Sequence, residues 1–283
     1  MLTFIGKRGE VQMLKWLIAT VVCASQFVFA DPLFDRTIDP SALQQLASTL
    51  GISEEQDLIE QTQRQWLRKP GNERWEMSEI IAENRQYVLT WAAEQGLFSD
   101  WRPSRATYDK ALILGATTSR MQMRLDFLKD LWNQGVRFKQ IVWLTGMRTL
   151  DPRADGLIGR CANESEAAHI LWDEADLPDE MRCLSVSFIE VPMKGSERPN
   201  TADTIIAWVK ESPEPCTALF VSDQPFCGYQ FAVIKSNLPH PFLFDMVGKG
   251  VDPSSHPAAA AITLDSIARW IYEDARGAHT ARE

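Results

Sequence analysis

Histidine is scarce in this chain: four among 283 residues, at positions 169, 240, 256 and 279. With no C-x-x-C pair beside them, that scatter argues against a zinc site. Fifteen Gly and fifteen Pro are ordinary usage, which excludes collagen-like and low-complexity architectures. No basic run is present, and 29 Lys and Arg face 38 Asp and Glu, for a net charge of −9. An acidic chain has no general attraction for phosphate backbones, so non-specific nucleic-acid binding is excluded. No apolar run reaches the ~20 residues that span a bilayer. The phosphate-cradling patterns G-x-G-x-x-G and G-x-x-x-x-G-K-[ST] are absent, as is a G-x-S-x-G elbow. No cofactor fingerprint remains, and the cofactor is left open.

What is present begins with an address. Lys7, Arg8 and Lys15 precede an apolar run from Trp16 to Val22 that continues more weakly to Phe29. Val28 and Ala30 occupy the −3 and −1 positions before Asp31-Pro32, as a secretory signal requires. Met13 is an alternative start. Cleavage after Ala30 would lower the net charge to −11 and place the mature protein in the periplasm or outside the cell. A retained anchor and lipidation at Cys23 are the two alternatives. Cleavage would leave Cys161, Cys183, Cys216 and Cys227. Strand direction places 161 and 227 at one end of a parallel sheet and 183 and 216 at the other. Only 161–227 with 183–216 avoids spanning the sheet's height, and four free thiols is the competing expectation.

Residues 39–98 read as helical. Asp39-Pro40 opens one helix, Ser53-Glu54-Glu55-Gln56 is a capping box for a second, and Met77 to Trp91 mark a third. No catalytic cluster stands out there, so this front is expected to be a cap packed on the domain C-terminal to it. From residue 110, short apolar runs alternate with amphipathic helices, the pattern of a mainly parallel sheet covered on both faces. Strands are expected at 111–114, 140–144, 186–191, 218–221 and 242–246. Helices should start near Ser119, Asn163, Thr201 and Phe226, with a last one over 258–272. The organisation is a signal over 1–30, a helical extension over 31–105 and an α/β domain, a Rossmann-like three-layer sandwich, over 106–283.

Ligands of such sheets bind at the carboxyl ends of the strands. The loops expected there hold Gly115, Thr117, Thr118, Ser119 and Arg120; then Thr145 and Gly146; then Asn163 to Glu166; then Asn200, Thr201 and Asp203; then Ser222 and Asp223. Arg120 sits in the first turn of a helix, where the dipole disfavours a cation. Either a bound anion or a pairing with Glu164 or Asp203 would resolve that conflict. Glu164, Glu166 and Asp203 are candidate acid/base groups, and each also reads as an ordinary helix-start residue.

The order of Leu112-Ile113-Leu114-Gly115, Arg124-Leu125, Leu144-Thr145-Gly146, Asn163-Glu164-Ser165-Glu166-Ala167, Asn200-Thr201-Ala202-Asp203-Thr204 and Phe220-Val221-Ser222 resembles the DUF218 family, envelope-associated proteins of the SanA, ElyC and YdcF kind. The resemblance covers about residues 110–245. It implies a Rossmann-like fold, a polar pocket above the sheet, and a role in cell-envelope precursor metabolism. By position it marks Arg124, Glu164 or Glu166, Thr201 and Asp203. Phe226 and Tyr229 stand where the family carries His and Arg, and Met147 replaces a Gly. The expected activity is therefore an exported enzyme acting on a phosphate- or sugar-bearing small molecule. The alternative is a non-catalytic binding or scaffolding protein on the same fold. The expected partner is a small anionic molecule, with no nucleic acid and no membrane span once the signal is removed.

Overall fold

The computed structural model describes residues 30–211 and 214–280. The export signal lies outside the described residues except for Ala30. A single sheet of six parallel strands forms the centre: β1 (Asp31–Pro32), β2 (Thr107–Leu114), β3 (Arg137–Gly146), β4 (Ser185–Val191), β5 (Thr217–Asp223) and β6 (Leu243–Lys249). The order across the sheet is β1-β6-β5-β2-β3-β4. The chain starts its main sheet at β2, winds outward through β3 and β4, then crosses to β5 and β6 on the other side. That reversal between β2 and β5 is the switch point of a doubly wound fold.

Alternation along the strands builds two cores. Ala111, Ile113, Ile141, Trp143, Leu219 and Val221 face one layer, with α4 (Thr118–Asn133) and α5 (Glu164–Glu174). Leu112, Leu114, Val142, Leu144, Phe220 and Phe244 face the other. There they meet α7 (Thr201–Glu211), α8 (Cys227–Asn237) and α9 (Ala259–Thr280). Strands buried on both faces read as continuous apolar runs, which is why the sequence predicts all five main strands where they occur. The short α6 (Asp179–Arg182) and the edge strand β1 carry no such run and escape that pattern.

The front consists of α1 (Pro40–Thr49), α2 (Leu58–Gln65) and α3 (Ala82–Glu94). The Asp39 carboxylate accepts from the Ser41 and Ala42 amides at 2.7 and 3.0 Å, as a cap before Pro40 should. The second helix starts later than Ser53. Its cap is Asp57, accepting from the Glu60 amide at 2.8 Å, while Ser53 and Gln56 only close a turn. The third helix also starts late, at Ala82. Met77 and Ile80 instead pack against a small cluster of Phe226, Ala258, Ala261 and Ile262. Leu46, Val88 and Trp91 of the front share one core with Leu264 and Ile267 of α9. Two polar ties reinforce this packing: Gln63 Nε2 donates to the Ala268 carbonyl at 2.8 Å, and Glu79 accepts from the Ala260 and Ala261 amides at the start of α9.

Cys161 and Cys227 lie at the carboxyl end of the sheet, Cys183 and Cys216 at the amino end, and all four are unpaired. No helix among the described residues is long and apolar enough to cross a membrane.

Candidate functional site

A cavity of about 400 Å³ opens above the carboxyl ends of the strands. Its floor is the switch-point crevice: Gly115 after β2, Gly146 and Arg148 after β3, and Glu164 at the start of α5. Arg120 and Arg124 complete this floor, and Thr117, Ser119, Asn200 and Thr201 line the cavity above it. The front contributes Arg68, Glu73, Arg74 and Trp75, and the loop after β6 contributes His256.

Glycine at 115 is required by crowding. Its amide donates to the Leu144 carbonyl at 2.7 Å. A Cβ there would run into Glu164 Oε1 and sit 2.8 Å from that carbonyl oxygen. Glu164 is held by the Gly146 amide on Oε1 and by Arg148 Nε on Oε2, both at 3.1 Å. Burial pushes its carboxyl above the ordinary range despite Arg148 beside it. Arg148 in turn grips Asp155 with two nitrogens, at 2.8 and 3.2 Å. Asp155 also accepts from the Thr118 amide at 2.9 Å, and Thr118 Oγ1 accepts from the Gly156 amide at 2.7 Å. Thr118 therefore anchors the 151–163 segment and does not line the cavity.

Arg120 resolves its conflict with the helix dipole through a carboxylate neither sequence alternative named: it pairs with Asp223, at the end of β5. Arg124 bonds the same carboxylate at 2.7 Å and donates to the Leu114 and Gly115 carbonyls at 2.6 and 2.9 Å. The ends of β2 and β5 are thus stitched across the switch point by two arginines and one fully buried aspartate.

Two expected acid/base residues belong to helix caps. Asn163 and Glu166 form a reciprocal box, the Glu166 amide donating to Asn163 Oδ1 at 3.0 Å and Asn163 Nδ2 donating to Glu166 Oε1 at 2.8 Å. At Asn200 the Asp203 amide donates to Asn200 Oδ1 at 3.1 Å and the Asn200 backbone amide donates to Asp203 Oδ2 at 3.0 Å, and Asp203 also pairs with Lys194. Helix starts need these carboxylates to satisfy backbone N–H groups, and neither lines the cavity. Of the two glutamates marked by the resemblance, Glu164 lines the cavity and Glu166 does not. Thr145 is likewise structural, bonded to Ser165 Oγ at 2.9 Å and to the Ile189 carbonyl at 3.1 Å. Ser222 gives its hydroxyl to Gln230, and Asp223 lies beneath the arginines, away from the cavity lining. Gly115, Thr117, Ser119, Arg120, Arg124, Gly146, Glu164, Asn200 and Thr201 are brought together around the same cavity.

Arginine, which the sequence pattern singles out only at 120 and 124, dominates the lining. Arg68, Arg74, Arg120, Arg124, Arg148, Arg153, Arg198 and Arg269 all reach it, against Glu73 and Glu164. Arg148 and Arg198 lie in polar loops visible in the sequence. Arg68 and Arg74 flank the Lys69-Pro70-Gly71-Asn72 turn, the one available hint. Two further titratable groups join them. His256 Nδ1 accepts from the Ala258 amide at 3.1 Å, leaving Nε2 to carry the proton of the neutral ring. Burial and Arg120 hold His256 below its ordinary pKa. The Tyr229 hydroxyl lies 3.3 Å from Thr201 Oγ1. Burial pushes that hydroxyl up, yet Arg74, the Thr201 bond, Arg269 and Arg124 together bring it below the ordinary value. Among the described residues, no three His, Cys, Asp or Glu side chains converge to hold a metal ion.

Comparison with protein-family models, with curated proteins and with solved structures gives no match in any of the three. The DUF218 resemblance therefore stands on the quoted segments, and the functional reading rests on the cavity.

Proposed function

We propose that the protein is an exported envelope protein that admits a phosphate-bearing small molecule, such as a sugar phosphate, to this cavity and acts on it in cell-envelope precursor metabolism. The observation that carries the reading is the lining of eight arginines in a chain of net charge −9. Guanidinium forks match phosphate oxygens geometrically, and an otherwise acidic surface gives no reason for them to gather by chance in one concavity. Glu164 is the acid/base candidate on the floor, with Tyr229 and His256 above it.

A binding protein without turnover is the second reading. It is favoured by one detail: both Glu164 oxygens already hold N–H donors, which suits a carboxylate that shapes a loop. Thermal-shift and titration screens with sugar phosphates, nucleotides and lipid-carrier headgroups, followed by turnover assays on the hits, separate the two. Turnover abolished in Glu164→Gln with binding retained supports the enzyme. Binding without turnover, unchanged in that variant, supports the second reading. Failure to bind any phosphorylated compound overturns both. Export is tested by sequencing the N-terminus of the native protein, expected at Asp31; a cytosolic product starting at Met1 or Met13 overturns it.

A further inference from the structure

The arginines around the cavity differ in how their charge is met. Arg120, Arg124 and Arg148 face three carboxylates, Asp223, Asp155 and Glu164. Among the described residues, Arg68, Arg74, Arg198 and Arg269 form ion pairs with only two, Glu73 and Asp265. Arg198 holds Glu73 at 3.0 Å and Arg269 holds Asp265 at 3.0 Å. The other two reach the same carboxylates only at 3.6 Å, beyond hydrogen-bond distance. Arg68 Nη1 and Arg74 Nε are accordingly buried nitrogens without a hydrogen-bond partner. Burial and the charges of Arg74, Arg269 and Arg198 push Arg68 down to about 10, the mark of cations crowded without enough counter-charge.

Resting on the function proposed above, we infer that Arg68, Arg74, Arg198 and Arg269 form the seat of a phosphate dianion, two unmatched positive charges receiving two negative ones. The seat joins the front, the loop before α7 and α9, so the helical front is part of the binding site. It lies in the same cavity as Glu164. The phosphate is then the handle by which the ligand is held, and the remainder of the molecule lies over the floor. The Phe226 ring adjoins both groups, with the Arg74 guanidinium 4.4 Å and the Arg120 guanidinium 4.5 Å from its centroid. Arg120 and Arg124, spent on Asp223, hold the sheet ends together and contribute little to the seat. A soluble phosphomonoester and the phosphate end of a lipid carrier share this chemistry.

The test measures equilibrium binding of inorganic phosphate, glycerol phosphate and a short alkyl phosphate to the full mature chain. The variants are Arg74→Gln, Arg198→Gln, Arg120→Gln and, as a remote control, Arg160→Gln, whose side chain pairs with Glu174. Arg74 and Arg198 have side chains 25% and 34% exposed, so their loss is tolerable to the fold. Melting temperatures check this, and Arg198→Gln carries the test if Arg74→Gln does not fold. Removing one charge-assisted bond should weaken binding roughly tenfold. Tenfold losses in Arg74→Gln and Arg198→Gln that exceed the loss in Arg120→Gln, with Arg160→Gln near wild type, support the seat. Preference for the alkyl or the glycerol ester then identifies the lipid-borne or the soluble source. Loss confined to Arg120→Gln overturns the seat and leaves the proposed function standing. Equal losses in all four variants overturn it as bulk electrostatics. A folded wild type that binds none of the probes overturns the seat and the proposed function together.

Discussion

The floor and the wall of the cavity use the same pair of residue types to opposite ends. On the floor, arginines and carboxylates are matched: Arg124 is 2% exposed, Asp223 is fully buried, and each nitrogen near them has an oxygen to bond. On the wall, four guanidiniums share two carboxylates and leave buried donors idle. Two of these carboxylates, Glu164 and Asp265, are shifted in opposite directions. Burial wins at Glu164 and raises its pKa. At Asp265 burial pulls the same way, but Arg269, Arg74 and the Arg68 amide outweigh it and lower the pKa. A matched buried pair holds architecture in place, and an unmatched excess marks where charge from outside is expected.

The largest test of that contrast is Asp223→Asn. It would leave Arg124 buried and uncompensated, and should reduce stability by about 3–5 kcal/mol in denaturant titrations. A loss under about 1 kcal/mol would show that the floor pairs are not structural. Asp265→Asn comes next, at about 2–3 kcal/mol near neutrality, since its arginine partners are partly solvated. A depressed native pKa means this contribution is present above the unfolded value near 3.8 and is lost as pH falls through the native one. The gap between wild type and variant should therefore close below about pH 4, and a gap constant with pH would contradict the assignment. The smallest expected effect is in Arg198→Gln, under about 1 kcal/mol of stability, because its pair with Glu73 is a third exposed. A large stability loss there would make the wall structural too and erase the contrast.

This difference also explains what is legible in the sequence. Floor residues such as Gly115, Arg124 and Glu164 sit directly after apolar strand runs or within the first two turns of the next helix. A reader who finds the strands finds them as well. Wall residues carry no such marker. Arg269 stands four positions after Asp265 on one helix and reads as an ordinary surface pair. Arg74 lies in a short turn between two helices, and only packing against α9 brings it to the cavity. Asp203 and Glu166 fail as acid/base candidates for a local reason. Each is the third residue after an asparagine cap, a position whose carboxylate is claimed by the backbone. The residue directly after each asparagine, Glu164 or Thr201, does reach the cavity.

The contact between Gln63 and Ala268 constrains the order of events in the making of the molecule. The two residues are separated by 205 positions, and the Glu79 cap on α9 by 181 and 182. A chain that emerges from its N-terminus must hold the front undocked until residues 260–268 have arrived. Contacts of such long sequence separation close late and slowly. The matched floor can assemble once β5 is in place, whereas the wall needs α9, the final helix. A truncation or pause before residue 268 would therefore yield a chain with its sheet formed and its binding wall missing.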